Sequence, residues 1–345
     1  MTRFRLGLVV GKFSPLHLGH ELVIAQALAR CEQVLVLGYS QPVLAGSDRA
    51  RRERWVQQRF PQVRNVQLDD EEVQRRCQAR GLPFQPMPRN DAADAVQQAY
   101  LAWLLAGPLD LRPDAMFASE AYLRPCAALL SQALGHVVAP VLVDLARRQR
   151  PVSATQIRAD VHAHRHWLHP QVYRDFVQRV VLLGGESTGK TTLAQALAER
   201  HETRWVPEYG RERWLACGGE LALQDLLDIG RIQAEREDEA AGQANRLLFC
   251  DTSPLTTLGY AGWMFGAQPP ALQALAGRRY ALTVLCEPDI AFVQDGTRQP
   301  AGFRLQQQAW YEARLAEQAG PWLRASGSVA QRLQQVDAAL AALPA

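Results

Sequence analysis

The sequence predicts an α/β protein of two domains, each built on a parallel sheet, and three observations carry that expectation. The stretch Arg179 to Leu193, RVVLLGGESTGKTTL, passes from the apolar run Val180 to Leu183 through a glycine turn into a helical pattern, as a buried parallel strand does before its helix. A second junction of this kind lies near the start, where Phe4 to Val10 breaks at Gly11 into GKFSPLHLGH. Apolar runs alternate with helical segments along the rest of the chain, which is the pattern of βα repeats. A phosphate-binding loop follows the first strand of its own domain, so the residues before Arg179 form another unit. Domains are expected at 1–170 and 178–345.

In the first half, Phe4 to Val10 is a strand and Glu21 to Ala29 a helix, the opening of a Rossmann-like unit without the dinucleotide fingerprint GxGxxG. His17 and His20, three apart at the helix start, share a face near the positive end of its dipole. With Lys12 on the turn they can bind a triphosphate and stabilise charge on its α-phosphate. Further on, Val34 to Gly38 reads as a strand, Arg49 to Gln58 as a basic helix and Val63 to Leu68 as a strand. Val96 to Leu105 then reads as a helix, and Ala115 to Ala118 and Val137 to Val143 as strands. Arg51, Arg52 and Arg54 are expected on a solvated face in preference to phosphate contact. Ser119, Glu120 and Tyr122 follow a strand end and are expected to line a pocket. In PVSATQIRAD, Ser153 can cap a helix and Arg158, one turn in, can grip phosphate oxygens; a capped surface helix explains the same residues.

HAHRHWLHP brings together His162, His164, His166 and His169. His162 and His166 are four apart on a presumed helix, yet no acidic or cysteine ligand accompanies them, so a connector is expected and not a metal site. Pro170 marks the domain boundary, with Val172 to Val177 packing the linker.

In the second half the loop comprises Gly184, Gly185, Glu186, Ser187, Thr188, Gly189, Lys190, Thr191 and Thr192. Its glycines let successive N–H groups point inward, Lys190 reaches distal phosphates and the Thr191 hydroxyl can hold Mg²⁺. After a strand at Arg204 to Val206, PEYGRE offers Glu208, Tyr209 and Arg211 to a ribose or an aromatic base. Leu247 to Cys250 is the next buried strand and ends in Asp251. That carboxylate either accepts a substrate hydroxyl's proton or holds Mg²⁺ through water; the alternative is a plain turn before a helix with Pro254 at its first position. Ala281 to Cys286 is another strand. FVQDGTR places Asp295 and Arg298 on a glycine turn, read as a lid that brings an arginine over the transferred phosphate. Leu305 to Ala345 reads as largely helical and carries no motif.

Composition narrows the class. With 345 residues, 48% hydrophobic and 21% charged, the chain can bury two cores. No apolar run approaches membrane length and no signal peptide opens the chain, so a cytoplasmic protein without a membrane partner is expected. The six cysteines form no CxxC pair, which argues against a disulfide framework or a zinc knuckle. A net charge of +3 without a basic block interleaved with aromatics gives no sign of nucleic acid. Of the 38 basic residues 36 are arginine, and the two lysines, Lys12 and Lys190, both fall in the candidate phosphate loops. A compact ammonium on a flexible stem differs from a planar guanidinium, so both loops call for that shape.

Two motifs carry a resemblance. Gly11, Phe13, Pro15, His17, Gly19 and His20 match the GxFxPxHxGH signature of the nucleotidyltransferases, and Ser153, Thr155, Ile157 and Arg158 match their SxTxIR element. The order of parts, with SATQIR shortly before GGESTGK, resembles the bifunctional NadR-type family, in which a nicotinamide-nucleotide adenylyltransferase is fused to a ribosylnicotinamide kinase. PEYGRE, Asp251 and DGTR fall where that family places kinase residues. The resemblance implies a Rossmann-like nucleotidyltransferase domain followed by a P-loop kinase domain, with ATP as co-substrate of both and Mg²⁺ as cofactor. The small-molecule partners it implies are ribosylnicotinamide and nicotinamide mononucleotide, and it is compatible with a homo-oligomer. It assigns Lys12, His17, His20 and Arg158 to adenylyl transfer, with Gly11, Phe13, Ser153 and Thr155 binding ATP. In the kinase, Lys190, Asp251 and Arg298 are catalytic, Thr191 and Asp251 serve the metal, and Glu208, Tyr209, Arg211 and Asp295 bind substrate. The chain departs from the family in two places. Members that repress transcription carry a helix-turn-helix ahead of the first strand, where this chain starts at the strand, so no repressor role is expected. The family's tryptophans in the middle of the first domain are replaced here by NDAADAVQQAY. Competing readings keep both folds with another phosphate ester as adenylyl acceptor, or make the chain a nucleotide sensor without turnover.

Overall fold

The computed structural model describes residues 3–294, 296, 299, 300 and 302–343. The chain divides into two compact units, Met1–Tyr173 and Arg174–Ala345.

The first unit runs β1 (Phe4–Gly11), α1 (Leu18–Arg30), β2 (Cys31–Gly38), α2 (Arg49–Arg59), β3 (Arg64–Gln67), α3 (Asp70–Arg80), α4 (Asp94–Ala106), β4 (Ala115–Ala118), α5 (Leu123–Leu134), β5 (Ala139–Leu142), α6 (Ala154–Ala159) and α7 (Pro170–Tyr173). Its sheet has the order β3-β2-β1-β4-β5 with every pairing parallel. Leu8 pairs with Leu35 on one side and Met116 on the other, and all three are fully buried, which is why β1 reads as an apolar run with no polar face. The winding reverses at β1, so the crevice between the ends of β1 and β4 is where a ligand site forms in such sheets.

Helices α3 and α5 add to the expected elements, and α5 buries Leu123, Cys126, Ala127, Leu130 and Leu134 along one face. DEEVQRRCQAR buries only Val73, Cys77 and part of Glu72, and its start is set by the Asp69 side chain accepting from Glu72 N at 2.8 Å. Arg52 departs from the solvated face expected of it. It is fully buried, and its Nη2 donates to the Leu68 carbonyl at 3.2 Å, whereas Arg54 is exposed. The presumed helix at His162 to His166 is instead a turn followed by a 3-10 turn at Arg165–Trp167. His162 Nδ1 lies 2.9 Å from the Tyr173 hydroxyl, and His169 Nδ1 accepts from Gln171 N at 3.2 Å. Among the described residues no group of three His, Cys, Asp or Glu is placed to hold a metal. Val172 and Tyr173 of α7 are buried.

The second unit runs β6 (Gln178–Leu183), α8 (Lys190–Arg200), β7 (Arg204–Val206), α9 (Tyr209–Ala216), α10 (Leu223–Ala241), β8 (Leu247–Asp251), α11 (Pro254–Phe265), α12 (Pro270–Ala276), β9 (Leu282–Cys286), α13 (Phe303–Glu317), β10 (Trp322–Ala325) and α14 (Val329–Ala341). The order is β10-β9-β6-β8-β7, again all parallel, with β6 in the middle. Val180 and Leu182 of β6 form one core with Phe249, Val284 and the α8 residues Leu193 and Leu197. The stretch after Leu305, expected to be largely helical, also contains β10, which pairs with β9 through Ala325 and Cys286. Four residues of mixed polarity at a sheet edge give too short a pattern to separate from the helices around them.

A buried ionic cluster closes the end of the sheet away from the phosphate loop. Glu237 is inaccessible to solvent and receives the Tyr280 hydroxyl at 3.0 Å and the Arg278 guanidinium at 3.3 Å. Asp238 meets Arg278 at 2.6 Å and Arg179 at 3.0 Å. Burial outweighs these partners and pushes the Glu237 carboxyl up to about 7. Among the described residues no helix is long and apolar enough to cross a membrane.

Candidate active sites

In the first unit a cavity of about 440 Å³ opens at the crevice beside the ends of β1 and β4. Gly11, Lys12, Phe13, His17 and His20 line it from the β1–α1 turn, and Ser153, Thr155 and Arg158 from α6. The two motifs of the sequence therefore meet. Phe13 is buried at φ 45°, where its ring lies 3.1 Å from the place a Cβ on Gly11 would take and packs edge-on against His20 at 5.1 Å. Arg158 Nη1 donates to the Ser14 carbonyl at 2.8 Å and Nη2 to Thr155 Oγ1 at 3.0 Å, which fixes its plane beside the turn. Ser153 accepts from Gln156 N at 3.3 Å, the cap expected of it, and Gln156 Oε1 accepts from Ser153 N at 3.0 Å, which makes the cap reciprocal.

The histidines stack with ring centroids 3.8 Å apart. His17 caps α1, its Nδ1 accepting from Gly19 N at 3.1 Å and His20 N at 3.4 Å. A ring nitrogen that accepts carries no proton, so the neutral imidazole presents Nε2–H as a donor. Burial first, then Arg147 and Arg158, hold the His17 imidazole down to about 4, and burial with the neighbouring His17 holds His20 well below its usual value. His20 Nδ1 is buried without a hydrogen-bond partner. Positive charge here comes from guanidinium groups and Lys12, whose Nζ donates to the Asn90 carbonyl at 2.9 Å.

Ser119, Glu120 and Tyr122 line this cavity too, as the sequence predicted. Sequence reasoning missed Arg147 and Arg150. They sit on a loop in which the Asp144 carboxylate accepts from the N–H groups of Arg148, Gln149 and Arg150 at 2.8–3.1 Å, and Arg147 donates to Glu120 at 3.3 Å. DLARRQR is a signal for such a loop only once its neighbours are known. The NDAADAVQQAY stretch forms a polar wall through Asn90, Asp94, Gln97 and Gln98.

In the second unit a cavity of about 190 Å³ lies beside the loop after β6. Gly184 has φ 138°, and a Cβ there would stand 2.6 Å from the Cys286 carbonyl, so only glycine fits. A Cβ on Gly185 would meet the Arg304 carbonyl at 2.5 Å. Lys190 Nζ folds back onto the carbonyls of Gly184 at 3.1 Å and Gly185 at 3.0 Å. Thr188 Oγ1 donates to the Gly185 carbonyl at 2.8 Å, the Ser187 hydroxyl accepts from Val293 N at 3.0 Å, and Thr192 is exposed on α8. Arg332 of α14, unnoticed in the sequence, is buried behind the loop: Nη1 donates to the Thr188 carbonyl at 2.6 Å, Nε to Gly327 at 2.9 Å, and Nη2 pairs with Asp289.

Asp251, 1% exposed, accepts the Thr191 hydroxyl on Oδ2 at 2.5 Å, and its Oδ1 is buried without a partner. It is not among the residues lining the cavity. An unsatisfied carboxylate oxygen next to a loop hydroxyl is the chemistry that a hydrated Mg²⁺ satisfies, so these two residues fit that cation. Glu208 does line the cavity, with Lys190 and Arg211. Tyr209 faces elsewhere: its ring lies 4.4 Å under the Arg236 guanidinium, and the aromatic walls are Trp214, Tyr260 and Tyr311. Gln233 accepts from Tyr209 N at 3.0 Å and holds a buried, unpartnered Nε2 at the same cavity. Asp295 and Arg298 lie outside the described residues.

A family model described as an AAA domain matches residues 179–332. The curated protein "Trifunctional NAD biosynthesis/regulator protein NadR" of Salmonella typhimurium is 30% identical over 316 residues, covering 85% of this chain and 71% of its own. The protein of that name from Escherichia coli is 30% identical over 314 residues with the same coverage. Among solved structures, a NadR protein in complex with NR superposes with a TM-score of 0.65 at 22% identity, covering 97% of this chain and 95% of its own. A NadR protein in complex with NAD and AMP-PNP gives 0.63 at 20% identity, with the same coverage. At that identity the superpositions speak for the fold.

Proposed function

Because this chain belongs to the NadR family, we propose that it makes NAD in two steps, phosphorylating ribosylnicotinamide in the second unit and adenylylating the resulting nicotinamide mononucleotide in the first. One observation carries this reading: each unit places a lysine-bearing loop at the end of its central strand, and each loop has a cavity of its own.

In the first cavity the substrate phosphate is already a nucleophile. Its oxygen attacks the α-phosphorus of ATP, the bond to the β-phosphate oxygen breaks, and pyrophosphate leaves. No base is needed; the work is alignment and charge stabilisation by Lys12, Arg158 and the neutral His17 and His20 donors. Gly11, Phe13, Ser153 and Thr155 shape the nucleotide side. In the second cavity Lys190 and the loop amides cradle the β- and γ-phosphates, and Arg211 with the aromatic walls holds the acceptor. Thr191 and Asp251 would hold Mg²⁺, which would supply charge neutralisation on the phosphates.

The test incubates the protein with ATP, Mg²⁺ and ribosylnicotinamide and follows nicotinamide mononucleotide and NAD. Appearance of the first and then the second supports both steps. Mononucleotide without NAD would leave the kinase and send the first cavity to another phosphate ester, and neither product would end both assignments.

A further inference from the structure

We propose that Glu208, and not Asp251, is the general base of the second cavity, taking the proton of the acceptor hydroxyl while Asp251 serves the cation side of the phosphate loop. The inference rests on the kinase reading above and assigns its proton.

The cavity offers few carboxylates. Glu186 lines it, but both its oxygens are committed, Oε1 to the Tyr260 hydroxyl at 2.8 Å and Oε2 to Gln299 N at 2.7 Å. Asp251 sits beneath the loop, bound to Thr191 and absent from the cavity wall. A group that cannot be reached by the acceptor cannot take its proton. Glu208 stands at the N-cap position of α9, where a carboxylate ordinarily bonds the first amides of the helix, yet it caps none of them. Among the described residues no hydrogen bond holds its carboxylate, which lies at the cavity wall that Lys190 also lines. Burial, and the nearby Asp251, push its pKa above the ordinary carboxylate value against the pull of Lys190 and Arg211. Burial raises the Asp251 carboxyl as well, so the choice between the two rests on which one the cavity reaches.

The step balances as follows. The acceptor oxygen forms its bond to the γ-phosphorus as its proton passes to Glu208, the bond from the γ-phosphorus to the β–γ bridging oxygen breaks, and ADP leaves with that electron pair. Glu208 then returns the proton to solvent.

The experiment measures phosphoryl transfer in the full chain with ribosylnicotinamide and with a panel of ribonucleosides as acceptors. Glu208→Gln is expected to lower kcat by roughly 10²–10⁴-fold with the KM for ATP unchanged within about twofold, and to erase the acid limb of the pH profile. The groups facing Glu208 (Glu186, Lys190, Arg211 and Asp251) remain in that variant, so a surviving limb would belong to them. Asp251→Asn is expected to raise the Mg²⁺ concentration for half-maximal rate and to keep the acid limb in its residual activity. Glu208→Asp, which preserves the carboxylate, should recover part of kcat together with the limb. The assignment is overturned if Glu208→Gln stays within tenfold of wild-type kcat, or if Asp251→Asn is the variant that loses the limb. Two ATP equivalents bound per chain, as in wild type, verify that the second unit of the Glu208 variants is folded. Should wild type phosphorylate another nucleoside and not ribosylnicotinamide, the substrate reading falls while Glu208 is scored on the nucleoside accepted. If no hydroxyl is phosphorylated, both fall.

Discussion

The guanidinium of Arg158 donates to the backbone carbonyl of Ser14 at 2.8 Å, joining the SATQIR helix to the GKFSPLHLGH turn across 144 positions of sequence. A second bond, to Thr155 Oγ1, leaves the guanidinium one orientation beside the turn.

Arg158→Ala should therefore slow adenylyl transfer by roughly 10²–10³-fold and leave phosphoryl transfer untouched. Arg158→Lys should recover little, since one ammonium cannot serve a carbonyl, a hydroxyl and a phosphate from a fixed plane. Pyrophosphate release with nicotinamide mononucleotide and ADP release with ribosylnicotinamide read the two steps separately. Equal loss in both would contradict independent sites.

The neutral His17 and His20 pair predicts that no inflection of the adenylyl-transfer rate between pH 5.5 and 8 belongs to a histidine, the attacking phosphate with its second pKa near about 6 being the group that titrates there. An inflection near 6.5 that disappears in His17→Gln would contradict it. The same depressed value has a stability consequence. The folded state refuses a proton that the unfolded chain takes near 6.5, so the contribution is complete above that pH and is lost as pH falls towards about 4. Over that interval His17 accounts for about 3 kcal/mol. Calorimetry of wild type against His17→Gln from pH 4 to 7 measures the difference.

Glu237 predicts the opposite slope in the second unit. Its carboxyl titrates at about 7 in the fold, above the ordinary value of 4.5, so the native state keeps a proton that the unfolded chain has given up. Its contribution is present below pH 4.5 and is lost as pH rises to 7, a change of about 3 kcal/mol. Glu237→Gln, which keeps the Tyr280 hydroxyl bond, should flatten that slope and raise stability at pH 8. A lower Tm at pH 8 would count against it.

Arg332 predicts a loop defect seen from outside the cavity. Arg332→Met should raise the KM for ATP in phosphoryl transfer and cost about 2–4 kcal/mol, since Asp289 and the Thr188 carbonyl lose their partner. Guanidinium ion added to Arg332→Ala should restore part of the affinity, which a general loosening of the core would not permit. Adenylyl transfer should stay at its wild-type rate.

The central strands, both turns and the two domains were legible because an apolar run ending in glycine and followed by a helix has few alternatives. What the sequence hid lies in long-range partners. Arg52 and Arg332 look like surface arginines until the carbonyls that bury them are in view, and β10 is too short to announce itself. Tyr209 reads as a stacking ring by its neighbours PEYGRE, yet Arg236, a turn of another helix, covers it. The sequence offered Asp251 as base or cation ligand and Glu208 as a substrate group; the Thr191 hydroxyl on Asp251 and the place of Glu208 at the cavity wall come only from the fold.

Arg158 reaches Ser14 over 144 positions, and Arg332 reaches Thr188 over the same separation. During synthesis each glycine-bearing turn leaves the ribosome long before the arginine that braces it, and contacts so distant in sequence are slow to form. The nascent chain therefore passes through two stretches in which a glycine-rich loop is made but unbraced, and the first half can complete its own brace while the second still waits for its last helix.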